Sequence, residues 1–264
     1  EATNLTAEQA ATEFARFANI VGMSQKDFDR LGSTVVALGN NLATTEREIV
    51  EMAMRLAGAG AQIGLTEAQI MSFAGALSSV GIEAEAGGSS FSKVMVEMQL
   101  AAELGGDKLK AFADVAGMSA NDFKKAFEQD AAGAIIKFID GLSTAEERGV
   151  SAIKILDDMG IKEVRMRDAL LRAAGATDVF TDALDLGSKA WKENIALTNE
   201  AEQRYATSES QIKILWNRLK DVAISLGDAL VPAIIDALDA AEPFIRKIED
   251  GARAFSEMDE EQQR

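Results

Sequence analysis

The sequence predicts an all-α fold: a compact multi-helix domain of about a dozen short helices, followed by a long C-terminal amphipathic helix. Three observations carry this expectation. Alanine is the commonest residue and only two prolines occur in 264 residues. No run of alternating β-branched residues marks a strand. Apolar residues recur at i, i+3, i+4 and i+7, the spacing that gathers them on one face of a helix. Ile49, Met52, Ala53 and Leu56 form one such stripe. Phe91, Val94, Met95, Met98, Ala101 and Ala102 form a second, and Phe180, Ala183, Leu184, Gly187 and Trp191 a third.

Helix starts follow from capping chemistry. A hydroxyl that accepts from free backbone N–H groups recurs with an acidic or amide residue three positions later, as Thr6 with Gln9, Ser24 with Asp27, Thr66 with Gln69 and Ser119 with Asp122. Apolar pairs bracket three of these caps, Met23 with Phe28, Leu65 with Ile70 and Met118 with Phe123, in the staple arrangement that fixes the entry angle. Glycines 22, 64, 105, 106, 117 and 160 stand near the ends of periodic segments, where a left-handed residue closes a helix. Gly87 and Gly88, in "GIEAEAGGSSFSKVM", are expected to end one short helix and reverse the chain before the Phe91 stripe.

This punctuation divides the chain into a helical core over 1–197 and a long helical segment over 198–264 that leads out of it. Within the core, "FANIVGMSQKDFDR" from Phe17 matches "FADVAGMSANDFKK" from Phe112 at seven of fourteen positions. The echo fits two capped joints that share composition, and equally a duplication with halves at about 1–106 and 107–197. In the C-terminal segment, Ile212, Leu215, Trp216, Leu219, Val222 and Leu226 form a stripe whose first reading is packing within the chain, and which is also the candidate interface for a partner helix or a second copy. Pro232 can open a following helix, Pro243 can kink or restart it, and the terminal "EMDEEQQR" is expected to fray.

Composition excludes several functions. With no histidine and no cysteine, Ser-His and Cys-His nucleophilic machinery, thiolate metal sites and disulfides are all absent. The 43 acidic against 27 basic residues give a formal charge of -16, a field that repels phosphate backbones and anionic lipid. Direct nucleic-acid binding is therefore not expected. The longest uncharged stretches, Leu31 to Thr45 and Ala68 to Ile82, are polar in part and shorter than the ~20 apolar residues that span a bilayer. Glu1 opens the chain without an initiator methionine or a signal pattern, so an excised piece of a longer polypeptide is expected.

The candidate chemistry is thin. The double glycine lacks the spacing, the lysine-hydroxyl pair and the preceding strand of a phosphate-binding loop, and Glu83 and Glu85 oppose an anion there. Carboxylate pairs such as Asp157 with Asp158 and Glu146 with Glu147 sit in amphipathic surroundings and are expected to face water. Asp250 to Glu261 lacks the ligand positions and central glycine of a calcium loop. The cluster Arg165 to Arg167 is expected to be an exposed turn. No catalytic residue, metal ligand or cofactor follows from these patterns.

Several stretches carry a resemblance. "MRLAGAGAQIGLTEAQIMSFAGALSSVGIEAEAGGSSFSKVM" from Met54, "FADVAGMSANDF" from Phe112, "ILDDMGIKEVRMRDALLRAAG" from Ile155 and "NIALTNEAEQRYATSESQIKILWNRLKDVAISLGDALVPAI" from Asn194 resemble, in this order, the core region of phage and prophage tail tape measure proteins. The resemblance implies a structural protein of the virion, assembled in the bacterial cytoplasm. It would lie in the tail lumen, fix tail length, and contact tail tube, tail-tip and tail assembly chaperone proteins. An acidic surface would keep such a protein from adhering to the DNA that shares its tube. The capped, glycine-stopped helices imply a folded domain, with any extended spacer elsewhere. The alternative from another class is a carboxylate-based peptidoglycan hydrolase module of a phage tail.

Overall fold

The computed structural model describes residues 6–205, and among them the chain forms twelve α-helices and no strand. They are α1 (Ala7–Val21), α2 (Phe28–Asn41), α3 (Glu46–Gln62), α4 (Glu67–Ser79), α5 (Ser89–Leu104), α6 (Gly106–Val115), α7 (Ala120–Gln129), α8 (Ala131–Ser143), α9 (Ala152–Asp158), α10 (Val164–Ala174), α11 (Thr177–Glu193) and α12 (Ala196–Tyr205). A 3-10 turn, Gln25–Asp27, precedes α2, and a π turn, Ala84–Gly88, runs into α5. The all-α expectation holds. Of the segment from 198 onward only the rest of α12 is described, and the stripe from Ile212 to Leu226 lies outside the described residues.

Local chemistry starts the helices where the capping pattern places them. Thr6 and Thr66 form reciprocal capping boxes with Gln9 and Gln69, and Ser119 accepts from the backbone N–H of Asp122 at 3.1 Å. Ser24 differs. It accepts from Lys26 instead of Asp27, so it caps the 3-10 turn and no box forms. Thr45 with Glu48 adds a box to those the sequence pattern predicts, and Asp130 caps α8 through the N–H of Gly133 at 3.1 Å.

Six helix ends close in one way. After α1, α3, α4, α6, α9 and the helical turns following α8, a glycine (22, 64, 81, 117, 160 and 149) adopts φ between +69° and +82°. The next residue is apolar, and its N–H reaches back five positions to a helical carbonyl: Met23 to Ala18, Leu65 to Gly60, Ile82 to Leu77, Met118 to Ala113, Ile161 to Leu156 and Val150 to Ala145. Leu65, Ile82 and Ile161 are buried, and Met23 and Met118 pack against the core. Five of the six joints thus end a helix and plant an apolar anchor with one dipeptide, whereas Val150 stays exposed.

Gly87 and Gly88 behave otherwise, which corrects the expectation of a chain reversal there. Gly88 is right-handed at φ −60° and ψ −44°, and the π turn passes directly into α5. The reversal happens earlier, at Gly81. The pair is needed for proximity: a Cβ on Gly87 would lie 2.0 Å from Ile82 Cγ2, and one on Gly88 2.7 Å from Met52 Sδ. The cluster Arg165 to Arg167 is likewise not a turn between helices but part of the first turn of α10, with Met166 buried.

Helix α4 sits among α2, α3 and α11 and buries Ala68, Ile70, Met71, Ser72, Phe73, Ala74, Gly75, Ala76 and Leu77. That all-round burial explains why Ala68 to Ile82 carries no charge. Phe73 joins Phe91 of α5 and Phe180 of α11, at ring-centroid distances of 6.0 and 6.2 Å. A second aromatic group, Phe112, Phe123 and Phe138, ties α6, α7 and α8, and one continuous apolar cluster contains both. All six residues of the Phe91 stripe and all four of the Ile49 stripe are buried in it.

Candidate functional site

Carboxylates border a cleft of about 350 Å³ lined by Glu48, Glu51, Met52, Ser78, Gly81, Ile82, Glu83 and Ala84. The first turns of α3, the end of α4 and the Gly81 joint build it. Glu48 is already committed. Its Oε2 accepts from the Thr45 backbone N–H at 2.9 Å, the Thr45 hydroxyl at 2.9 Å and the Thr44 hydroxyl at 3.2 Å. These bonds, that from the Thr45 N–H foremost, hold its carboxyl below the ordinary carboxylate range. A glycosidase acid needs the opposite displacement. Glu51 pairs with Arg47 at 3.0 Å along α3. Among the described residues no group of three or more Asp and Glu side chains is placed to hold a metal ion.

The double glycine offers no anion cradle. The N–H groups of Gly87 and Gly88 both donate to the Glu83 carbonyl, at 2.9 and 3.3 Å. Asp157, Asp158, Glu146 and Glu147 face water, as their surroundings predict. Asp158 pairs with Lys154 at 2.9 Å, which raises the lysine above its ordinary range through the hydrogen bond and the carboxylate charge. Asp157 accepts from Arg167, whose Nε also donates to the Ile161 carbonyl at 2.6 Å, so this pair stitches α10 to α9.

Apolar surface is more distinctive than charge. Leu100 and Leu104, one turn apart on the last turns of α5, are 47% and 81% exposed. They border a groove of about 360 Å³ with Ala101 and Gly105, rimmed by Glu97, Asp107 and Lys108. A second groove, of about 460 Å³, lies between α6 and α9 and is lined by Ala111, Val115, Val150, Ile155 and Met159 together with Asp114, Arg148 and Asp158. Such surfaces serve contact better than catalysis. The periodicity that locates the core says nothing of them, because Leu100 and Leu104 fall off the Phe91 stripe and nothing local marks an apolar residue left in water. No helix among the described residues is long and apolar enough to cross a membrane.

Fold and surface together define a wholly helical body, among the described residues, of an acidic protein whose carboxylate-lined cleft holds a capping group and whose open grooves are apolar. Residues 1–180 match the family model of phage-related minor tail proteins, and the chain belongs to that family. It is a phage tail component. No curated protein and no solved structure matches the chain.

Proposed function

We propose that this chain is the core of a tape measure protein, a folded helical domain that acts in tail assembly and length determination without catalysing a reaction. The family match over residues 1–180, which covers most of the helical body, supports the tail role, and the ordered motifs that resemble tape measure cores support the finer reading. Helix length supports the division of labour. The longest described helices have 17 residues, a rise of about 26 Å at ~1.5 Å per residue, so this body is no ruler by itself. The distance is counted elsewhere in the full-length protein, and this domain anchors it.

In this reading the domain lies in the tail lumen and meets tail tube, tail-tip and assembly chaperone proteins, after assembly in the host cytoplasm. Its net charge of -16 keeps it from adhering to DNA. The stripe Ile212, Leu215, Trp216, Leu219, Val222 and Leu226 is the surface for a partner helix or a second copy.

In-frame deletions in the full-length gene test the proposal, with tails measured by electron microscopy. Deletions outside this region should shorten tails in proportion to the residues removed, whereas deletions within 1–180 should abolish assembled tails. Proportional shortening from both sets would overturn it.

A further inference from the structure

Helix α12 is attached unlike the other helices. None of the described side chains from Ala196 to Gln203 is buried, whereas each of α1 to α11 buries at least one apolar residue. Leu197 makes an apolar contact with α2, where its Cδ2 would stand 3.0 Å from a Cβ on Gly32. Polar contacts do the rest. The Leu197 N–H donates to Ser33 Oγ at 3.3 Å, Ser33 Oγ donates to Asn194 Oδ1 at 3.1 Å, and Asn194 Nδ2 donates to Asp29 Oδ2 at 2.6 Å. Further along, Asn40 Nδ2 donates to Glu200 Oε2 at 3.2 Å.

Asn194 is also the pivot. At φ 53° it is the one non-glycine residue with positive φ among the described residues, and its N–H closes α11 on the Ala190 carbonyl at 2.9 Å. Arg30 holds the same helix end through the Trp191 carbonyl at 2.8 Å. The end of α11 is therefore pinned to α2 independently of α12. Helices in proteins draw most of their stability from packing an apolar face, and the described part of α12 buries no side chain, so it gains little from its neighbours. Segments of this kind open well before the body unfolds.

We propose that α12 is a hinged strap that lifts from α2 about Asn194 while α1 to α11 stay folded, uncovering Ser33 and the small-residue face at Gly32. Ser33 is 1% exposed with the strap in place. The strap gives the domain two states that differ at one face only, and this holds whatever role the domain plays in the tail.

Hydrogen exchange on the whole chain, read by mass spectrometry, tests it. Amides of α12 should exchange at least ~100-fold faster than those of α4, as one cooperative unit. Ser33→Ala, which removes the bond to the Leu197 N–H of the strap and the bond to Asn194 at its pivot, should speed α12 roughly five- to tenfold and leave α4 unchanged. The chain has no cysteine, so Gly32→Cys with Leu197→Cys introduces one unique pair. Oxidation of that pair should slow α12 to the rate of α11, and reduction should restore it. Equal protection of α12 and α4, a parallel change in both on Ser33→Ala, or α12 exchange indifferent to the crosslink would each overturn the proposal. The last result would mean that α12 opens without lifting from α2 at Leu197.

Discussion

The Cβ that Gly87 lacks would lie 2.0 Å from Cγ2 of Ile82. Ile82 is the apolar anchor of the Gly81 joint and is buried, and its β-branched side chain is stiff at χ1, so it cannot swing aside without leaving its favoured rotamer. Gly87→Ala is expected to lower the unfolding free energy by about 2 kcal/mol. At Gly88 the first obstacle is the flexible Met52 Sδ at 2.7 Å, with Arg55 Cβ at 3.1 Å. Gly88→Ala should cost under about 1 kcal/mol, because Met repacks readily and alanine favours a helix. Urea titrations of the two variants decide the point. Equal losses would mean that both glycines serve backbone conformation and not proximity.

The contrast shows where sequence reading succeeds. Stripes such as Phe91 to Ala102 are legible because burial repeats with the helical period. The caps at Thr6, Thr66 and Ser119 are legible because a hydroxyl and its target lie three residues apart. Glycines 22, 64, 105, 106, 117 and 160 all have positive φ. Gly81 escapes the pattern because no hydroxyl follows its apolar anchor, and Gly149 because it follows the charged stretch "EER" and not an apolar one. Gly87 and Gly88 mislead because their reason lies partly in α3, some thirty residues away. Family membership is legible through ordered motifs, whereas the strap contacts between Ser33 and Asn194 join positions 161 apart and leave no local pattern.

Phe73 is the test of the shared core. It is 1% exposed and lies between Phe91 and Phe180, so its ring links three helices. Phe73→Ala should cost about 3 to 5 kcal/mol, the range for a large cavity with little collapse. Phe73→Leu should recover more than half of that loss in the same chemical denaturation experiment. A small effect of Phe73→Ala would show that α4, α5 and α11 do not pack as one unit.

Gly141 sets the approach of α8 to the end of α6. A Cβ there would stand 1.8 Å from the Val115 carbonyl oxygen and 2.7 Å from its carbonyl carbon. Backbone atoms cannot rotate aside as a side chain does. Gly141→Ala should cost roughly 3 kcal/mol or more and loosen the Phe112, Phe123 and Phe138 group. Near-ultraviolet circular dichroism of those rings, alongside the unfolding midpoint, reads both effects, and an unchanged spectrum and midpoint would contradict the close approach.

The capping box of α3 predicts a pH dependence. Thr45 Oγ accepts from the Glu48 N–H at 3.3 Å while the Glu48 carboxylate takes the Thr45 N–H, so Thr45→Ala should cost about 1 kcal/mol at neutral pH. The folded Glu48 carboxyl titrates below its unfolded value, because the Thr45 N–H and the two hydroxyls favour its charged form. Between the two values the unfolded chain binds more protons, so this contribution is complete above the unfolded pKa and disappears as pH falls through the folded one. Asp29, lowered chiefly by its bond from Asn194, acts in the same direction. Comparing wild type with Glu48→Gln cancels the Asp29 share. The stability gap between them should stay constant from pH 7 to about 5 and shrink below about 4, where the wild-type carboxyl also becomes neutral. A gap that persisted unchanged into acid would mean that charge plays no part in this cap, and that the protonated Glu48 carboxyl holds the Thr45 N–H as well as the carboxylate does.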